Sequence, residues 1–195
     1  AYPSIEQLRA SYGDRVSFVV RYFPLEGHFN AQRAARAVEA AAQQDKFEAM
    51  YKKMFETQKQ WGEQQVPHDD LFRQFAVELG LDMARWDTDY PSDTTWARIK
   101  VDIDDGNALG VTGTPAFFVN GQRLQPKSFA DVTAALEQAH VEHAHHAGHD
   151  AVRLAACVHF INTHVALLDH VFLGVVLRRA EGAGGFAAAA ANAER

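Results

Sequence analysis

The sequence predicts an α/β fold, and three observations carry that expectation. The run "RVSFVVRYFP" is rich in β-branched and aromatic residues and stops at Pro24, the pattern of a strand buried in a sheet. The run "PAFFVNGQRL" places an Asn120-Gly121 pair between two short strand-like segments, the strongest short-range hairpin signal. Before, between and after these runs, apolar residues recur at helical spacing.

Taken in order, "YPSIEQLRASYG" sets Ile5, Leu8 and Tyr12 on one helical face, with Gly13 where a helix would stop. Pro3 is tolerated in a first helical turn and would kink a helix that began earlier. After the strand, "NAQRAARAVEAAAQQ" gathers Ala31, Ala34, Ala35, Val38 and Ala42 on or near a small-residue face that lets a neighbour approach closely. "KFEAMYKKMFETQ" carries a stripe of Phe47, Met50, Tyr51, Met54 and Phe55, read as a core face. "HDDLFRQFAVELG" follows Pro67, has acids in its first turn and ends at Gly80. A short helix "DMARWDTDY" is closed by Pro91. The next begins at a Ser92 or Asp93 cap, points Trp96, Ile99 and Ile103 inward and ends at Gly110. The hairpin comes next, then "SFADVTAALEQA", a helix capped by Ser128.

With 195 residues the chain can build one well-buried domain and an appendage, or two small domains. The formal net charge of −6 and the scatter of its lysines and arginines argue against nucleic acid or an anionic membrane surface as partner. The single cysteine, Cys157, excludes an internal disulfide framework and a cysteine-built metal cage. No charged segment followed by an apolar one opens the chain, so no signal peptide is visible. Residue vocabulary shifts abruptly near Ala139. Every lysine, proline, tyrosine, tryptophan and methionine lies at or before Lys127, and eight of ten histidines lie at or after His140. The expected domains are therefore residues 1–139, in which the helices form a block at about 29–109, and residues 140–195.

The stretch "GVTGTPAFFVNG" raises the functional question. A proline at a strand entrance can simply begin an edge strand. Here Gly110 and Gly113 bracket the step, and the segment from Ala116 to Val119 is apolar enough to be central. A cis Thr114–Pro115 bond would set a sharp bend and hold Thr114 extended, offering its backbone to an extended peptide by strand-type pairing.

These residues resemble a known family. "GVTGTPAFFVNG", with the short strand and helix behind it, is similar to the C-terminal half of the DsbA-like branch of the thioredoxin superfamily. "YFPLEGHFNAQRAARAVEAAAQQDKFEAMYKKMF" resembles the same branch where its second strand enters an inserted helical domain. The resemblance covers residues 1–139 and implies a thioredoxin-like fold and disulfide exchange with thiol- or disulfide-bearing polypeptides. It implies an extracytoplasmic or periplasmic setting, no cofactor beyond the protein's own cysteine pair, and an unknown redox partner. In that family a Cys-x-x-Cys pair sits at a helix N-terminus, where the dipole favours the thiolate. "AYPSIEQL" is similar to the stretch just after the second cysteine, so the preceding strand and both cysteines are expected upstream of Ala1. The resemblance assigns substrate positioning to Thr114 and Pro115, with Val111 and Gly113 shaping the turn, and no catalytic residue to this chain. The competing expectation is a non-catalytic thioredoxin-like module that binds peptides or a partner.

The remainder reads more plainly. Cys157, inside "LAACVHF", suits a small buried hydrophobe better than a nucleophile. "HVEHAHHAGHD" places His145 and His149 at a spacing able to bind zinc on a helix, against the plainer reading of a polar linker, and no metal site is assigned. Leu154, Val158, Ile161, Val165, Leu168, Phe172 and Val175 step as a heptad-like helical seam. "GAGGFAAAAANAER" is low-complexity, and a non-native reading frame is a third reading of the whole tail.

Overall fold

The structure, a computed structural model, describes residues 2–13, 16–146 and 172–177. Helix α1 (Tyr2–Tyr12) leads into strand β1 (Val16–Arg21). At their junction Gly13 donates to Arg9 O at 2.8 Å. A Cβ there would lie 2.6 Å from that carbonyl, so the position demands glycine. Helices α2 (Ala31–Ala42), α3 (Phe47–Thr57), α4 (Asp69–Glu78), α5 (Met83–Asp89) and α6 (Asp93–Ala108) then follow before the chain returns to the sheet as β2 (Phe117–Val119) and β3 (Gln122–Leu124). Helix α7 (Phe129–His146) and strand β4 (Phe172–Leu177) complete the order.

Helix α2 is the hub of the helical block. It packs against α3, α4, α5 and α6, and seven of its residues are buried, including Ala37, Ala40 and Ala41 outside the expected face. Small side chains all round let four neighbours approach, and the core closes over it with Met50, Tyr51, Met54, Trp61, Phe72, Phe75, Trp86 and Ile99. The expected stripe on α3 is buried at Met50, Tyr51 and Met54, with Phe47 and Phe55 at its margins. Helix ends follow their chemistry. Ser92 caps α6 by accepting from Thr95 N at 3.1 Å, and Asp82 caps α5. Gly80 and Gly110 take left-handed conformations (φ 69° and 71°) just past α4 and α6. Ser128 stands immediately before α7, and Asp131 reaches back to that helix start, accepting from the backbone N–H groups of Lys127 and Ser128 at 2.8 Å.

A second core joins α1 (Ile5, Leu8), β1 (Val16), β2 (Phe117, Val119) and α7 (Val132, Leu136, Ala139). Strand β1 is less buried than its composition suggests: only Val16 is fully enclosed, and the other five residues are half-buried. The β2–β3 hairpin turns at Asn120 and Gly121 with φ 51° and 75°, as the Asn-Gly pair requires.

The sheet order is β1-β4-β2-β3, and here the structure departs from the sequence reading. Phe172 and Val175, expected on a helical seam, lie on a strand that pairs antiparallel with all six residues of β1. An uninterrupted short apolar run has no periodicity to separate helix from buried strand, and Gly174 and the Val175-Val176 pair favour the extended form. The other seam residues, Cys157 and His149 lie outside the described residues. Helix α7 also runs past Ala139 to His146, across the expected domain edge.

Candidate functional site

The residues of the Gly110–Ala116 turn are placed by α6 on one side and β2 on the other. Val111 N bonds Gly106 O at 2.8 Å and Gly110 N bonds Asn107 O at 3.0 Å, closing α6 in a paired C-terminal motif. The Thr114–Pro115 peptide is cis. Val111, Thr114 and Ala116 are buried, Gly113 and Pro115 half-buried, and Thr112 exposed. Beneath the turn, Val111 and Ala116 pack with Phe118 and with Phe23, and Leu25 and Ile103 close the cluster. The two segments that carried the family resemblance thus meet in one apolar cluster. At Gly113 a Cβ would meet nothing within 4 Å, so that position owes nothing to close approach.

Sequence reading missed several residues that hold this turn. Arg123 of β3 donates its Nη1 to Gly110 O, bracing the helix end from which the turn departs. Asp102 of α6, with no exposed surface, accepts from Arg21 and Arg98 and, at 3.0 Å, from the backbone N–H of Tyr22. It thereby ties α6 to the end of β1 and to the Tyr22-Phe23 step under the turn. An acid one position from the inward Ile103 was the available signal, since buried carboxylates are rare unless paired. Nearby, burial raises the Glu39 carboxyl above its ordinary value, opposed by Tyr22 and Arg98. Burial, and then the charge of Glu39, likewise push the Tyr22 hydroxyl well up. That hydroxyl meets no partner at hydrogen-bond distance, so its relation to Glu39 is electrostatic rather than a formed bond.

Asn30 plays a similar bracing part at the entry to α2. Fully buried, its amide donates to the carbonyls of Trp61, Gln64 and Val66 at 3.0, 3.1 and 3.0 Å, and its oxygen accepts from His68 N. All of its hydrogen-bonding capacity serves the loop between α3 and α4. A separate open hollow of about 690 Å³ lies between α1 and β1, lined by Glu6, Arg9 and Ser17 among others. Its cation, Arg9, is already paired with Glu6 and Glu48. Among the described residues no cluster of three or more histidine, cysteine or acidic side chains could hold a metal ion, and no helix is long and apolar enough to cross a membrane.

Comparison with known proteins fits this architecture. Residues 2–139 match the family model of the DSBA-like thioredoxin domain. Curated relatives include the Na(+)/H(+) antiporter NhaA 1 of Mycobacterium sp. (strain KMS), 36% identical over 138 residues, which are 69% of this chain and 22% of the relative. The protein of that name from Mycolicibacterium vanbaalenii is 38% identical over 138 residues, 69% of this chain and 21% of the relative. The Na(+)/H(+) antiporter NhaA of Herminiimonas arsenicoxydans is 38% identical over 135 residues, 69% and 20%. The chain therefore spans about a fifth of the length of these relatives. With the family's pattern running from α1 through the braced turn and into α7, the chain belongs to the DSBA-like thioredoxin domain family.

Proposed function

We propose that this domain positions extended polypeptides bearing thiols or disulfides at the Val111–Pro115 turn, as part of an extracytoplasmic thiol–disulfide oxidoreductase. The observation that carries the reading is the turn itself, held from below by Phe23 and Phe118 and from the side by Arg123. A peptide laid alongside Thr114 would add as a short strand, with main-chain pairing for affinity and tolerance of many sequences. In this reading a Cys-x-x-Cys pair precedes Ala1 in the active protein. Its thiolate attacks a substrate sulfur, breaks that S–S bond, forms a mixed disulfide and releases the other substrate sulfur as a thiolate. The second cysteine then displaces the substrate, which leaves reduced while the pair is oxidised, and the reverse sequence oxidises the substrate. The 195 residues contain one cysteine, so by themselves they should exchange no dithiol.

Insulin reduction by dithiothreitol tests this. The 195-residue chain and its Cys157→Ser variant should both run at the uncatalysed rate. The reading frame extended upstream should accelerate the reaction, and serine at the upstream cysteines should abolish the acceleration. Catalysis by the 195 residues that survives Cys157→Ser would overturn the assignment. A frame that opens at Ala1 would leave the second reading, a non-catalytic peptide-binding module, which the single cysteine favours. The names of the relatives suggest for the whole protein a module attached to a sodium–proton antiporter.

A further inference from the structure

We propose that Arg123 is a positioning residue for the docking turn: acting through Gly110, it fixes the direction in which residues 111–115 leave α6, and so sets how tightly an extended polypeptide binds there. The inference rests on the docking reading above and adds to it a point of control on another strand.

Strand pairing puts Arg123 in place. Phe118 and Arg123 are Cα partners in the β2–β3 ladder, and residues directly opposite each other share one face of a sheet. On that face Phe118 packs with Val111 and Ala116, which flank the turn. Phe117, Val119 and Leu124 alternate to the other face and into the core shared with α7. Apolar packing thus anchors the hairpin on one side. On the other, Arg123 is the only β3 residue, and it starts from a fixed base.

Its guanidinium meets the chain where other restraints are few. The C-terminal motif of α6 satisfies the carbonyls of Gly106 and Asn107 through the N–H groups of Val111 and Gly110. Gly110 has φ 71°, and a Cβ on it would lie 3.8 Å from Arg123 Nη1, so the guanidinium lies over this glycine. There Nη1 donates to the Gly110 carbonyl. Because the peptide unit is planar, holding that oxygen orients the whole Gly110–Val111 link. Beyond it, Thr112 is exposed and a Cβ on Gly113 would meet nothing within 4 Å, so the stretch up to Thr114 has little packing of its own to set its path. The last turn of α6 has no basic residue, and Arg123 supplies from β3 the cation that a helix C-terminus favours.

The test titrates the isotope-labelled 195-residue chain with reduced insulin B chain and compares Arg123→Met with Arg123→Lys. Methionine keeps an unbranched apolar stem but has no donor, whereas lysine keeps a cation with N–H donors. Arg123 is exposed, so both variants should fold and melt much as the parent does. Arg123→Met should weaken binding about five-fold or more, the loss expected for one charge-assisted hydrogen bond. It should also speed amide exchange at Gly110 and Val111 while leaving α3 and α4 unchanged. Arg123→Lys should bind within about two-fold of the parent, since it restores a charged donor. Parent-like binding by Arg123→Met overturns the proposal, as does exchange that quickens through the whole helical block. Arg123→Lys as weak as Arg123→Met overturns it too. A parent chain that shifts no residue from 110 to 118 sinks the docking reading and this proposal with it, an outcome read without either variant.

Discussion

The helical block and the sheet are held together in different ways. Helices α2 to α6 follow one another in the chain and close a single core around an alanine-rich helix. The sheet brings β1, β2 and β3 together across that whole block and takes its second strand from residues 172–177. Local contacts build the first region, and pairings between distant segments build the second. The turn at Thr114-Pro115 stands where they meet, hung from α6 and leading into β2.

The largest expected effect tests the packing of the helical block. Phe72 has no exposed surface and meets Trp61 edge-on with ring centroids 5.4 Å apart. Phe72→Ala should cost about 3–5 kcal/mol in denaturant unfolding, the range for a large buried aromatic. A loss under about 1 kcal/mol would mean that the block is loosely packed and the contrast unfounded.

Next comes the joint between the regions. Asp102→Ala strands the guanidinium groups of Arg21 and Arg98 and the N–H of Tyr22. Breaking a buried charge pair costs ~3–5 kcal/mol, but both arginines reach solvent, so about 2–3 kcal/mol is expected here. Amide exchange should accelerate at Tyr22 and Phe23 more than in α3. Uniform acceleration would show that Asp102 supports the whole fold rather than the joint.

A smaller effect follows from Glu39 at the same joint. Burial raises its folded pKa above 4.5, so the folded state holds the proton more tightly than the unfolded state. That contribution favours folding most at low pH and is lost as pH rises from the ordinary carboxylate range through the raised value. Exposed Asp87, bonded by Arg73, and Asp131, bonded by Ser128 and Lys127, have lowered values and act oppositely, losing their contribution as pH falls below 3.8. Urea midpoints measured from pH 4 to pH 7 should therefore fall less, or rise more, for Glu39→Gln than for the parent. Parallel curves would count against desolvation of the half-buried Glu39 carboxyl.

The smallest effect is a gain. Asp45 adopts φ 58° at the end of α2, where Lys46 N reaches back to Ala41 O. Asp45→Gly should stabilise by about 0.5–1 kcal/mol, since glycine takes this conformation without the Cβ penalty. A loss would place the Asp45 carboxylate in an interaction worth more than the backbone strain.

Legibility in the sequence follows the same division. Helix spacing, the caps at Ser92 and Gly110 and the Asn120-Gly121 turn are local signals, and each is found where the pattern put it. The turn was legible because glycines and a Thr-Pro step converge on it within a few residues. Its supports were not: Arg123 reaches Gly110 from another strand, and Asp102 reaches Tyr22 across the helical block. At β4 the heptad-like spacing that reaches Phe172 and Val175 points to helix, whereas pairing with the two neighbouring strands makes the six residues extended.

The most direct test of the central claim, that polypeptides dock along the turn, is a chemical-shift titration of the labelled 195-residue chain with reduced, unfolded insulin B chain. The account predicts shifts centred on the amides of Val111 to Thr114 and of Ala116, with smaller changes at Phe23 and Phe118. Saturating shifts confined to α3, α4 and α5, with residues 110–118 unmoved, would contradict it.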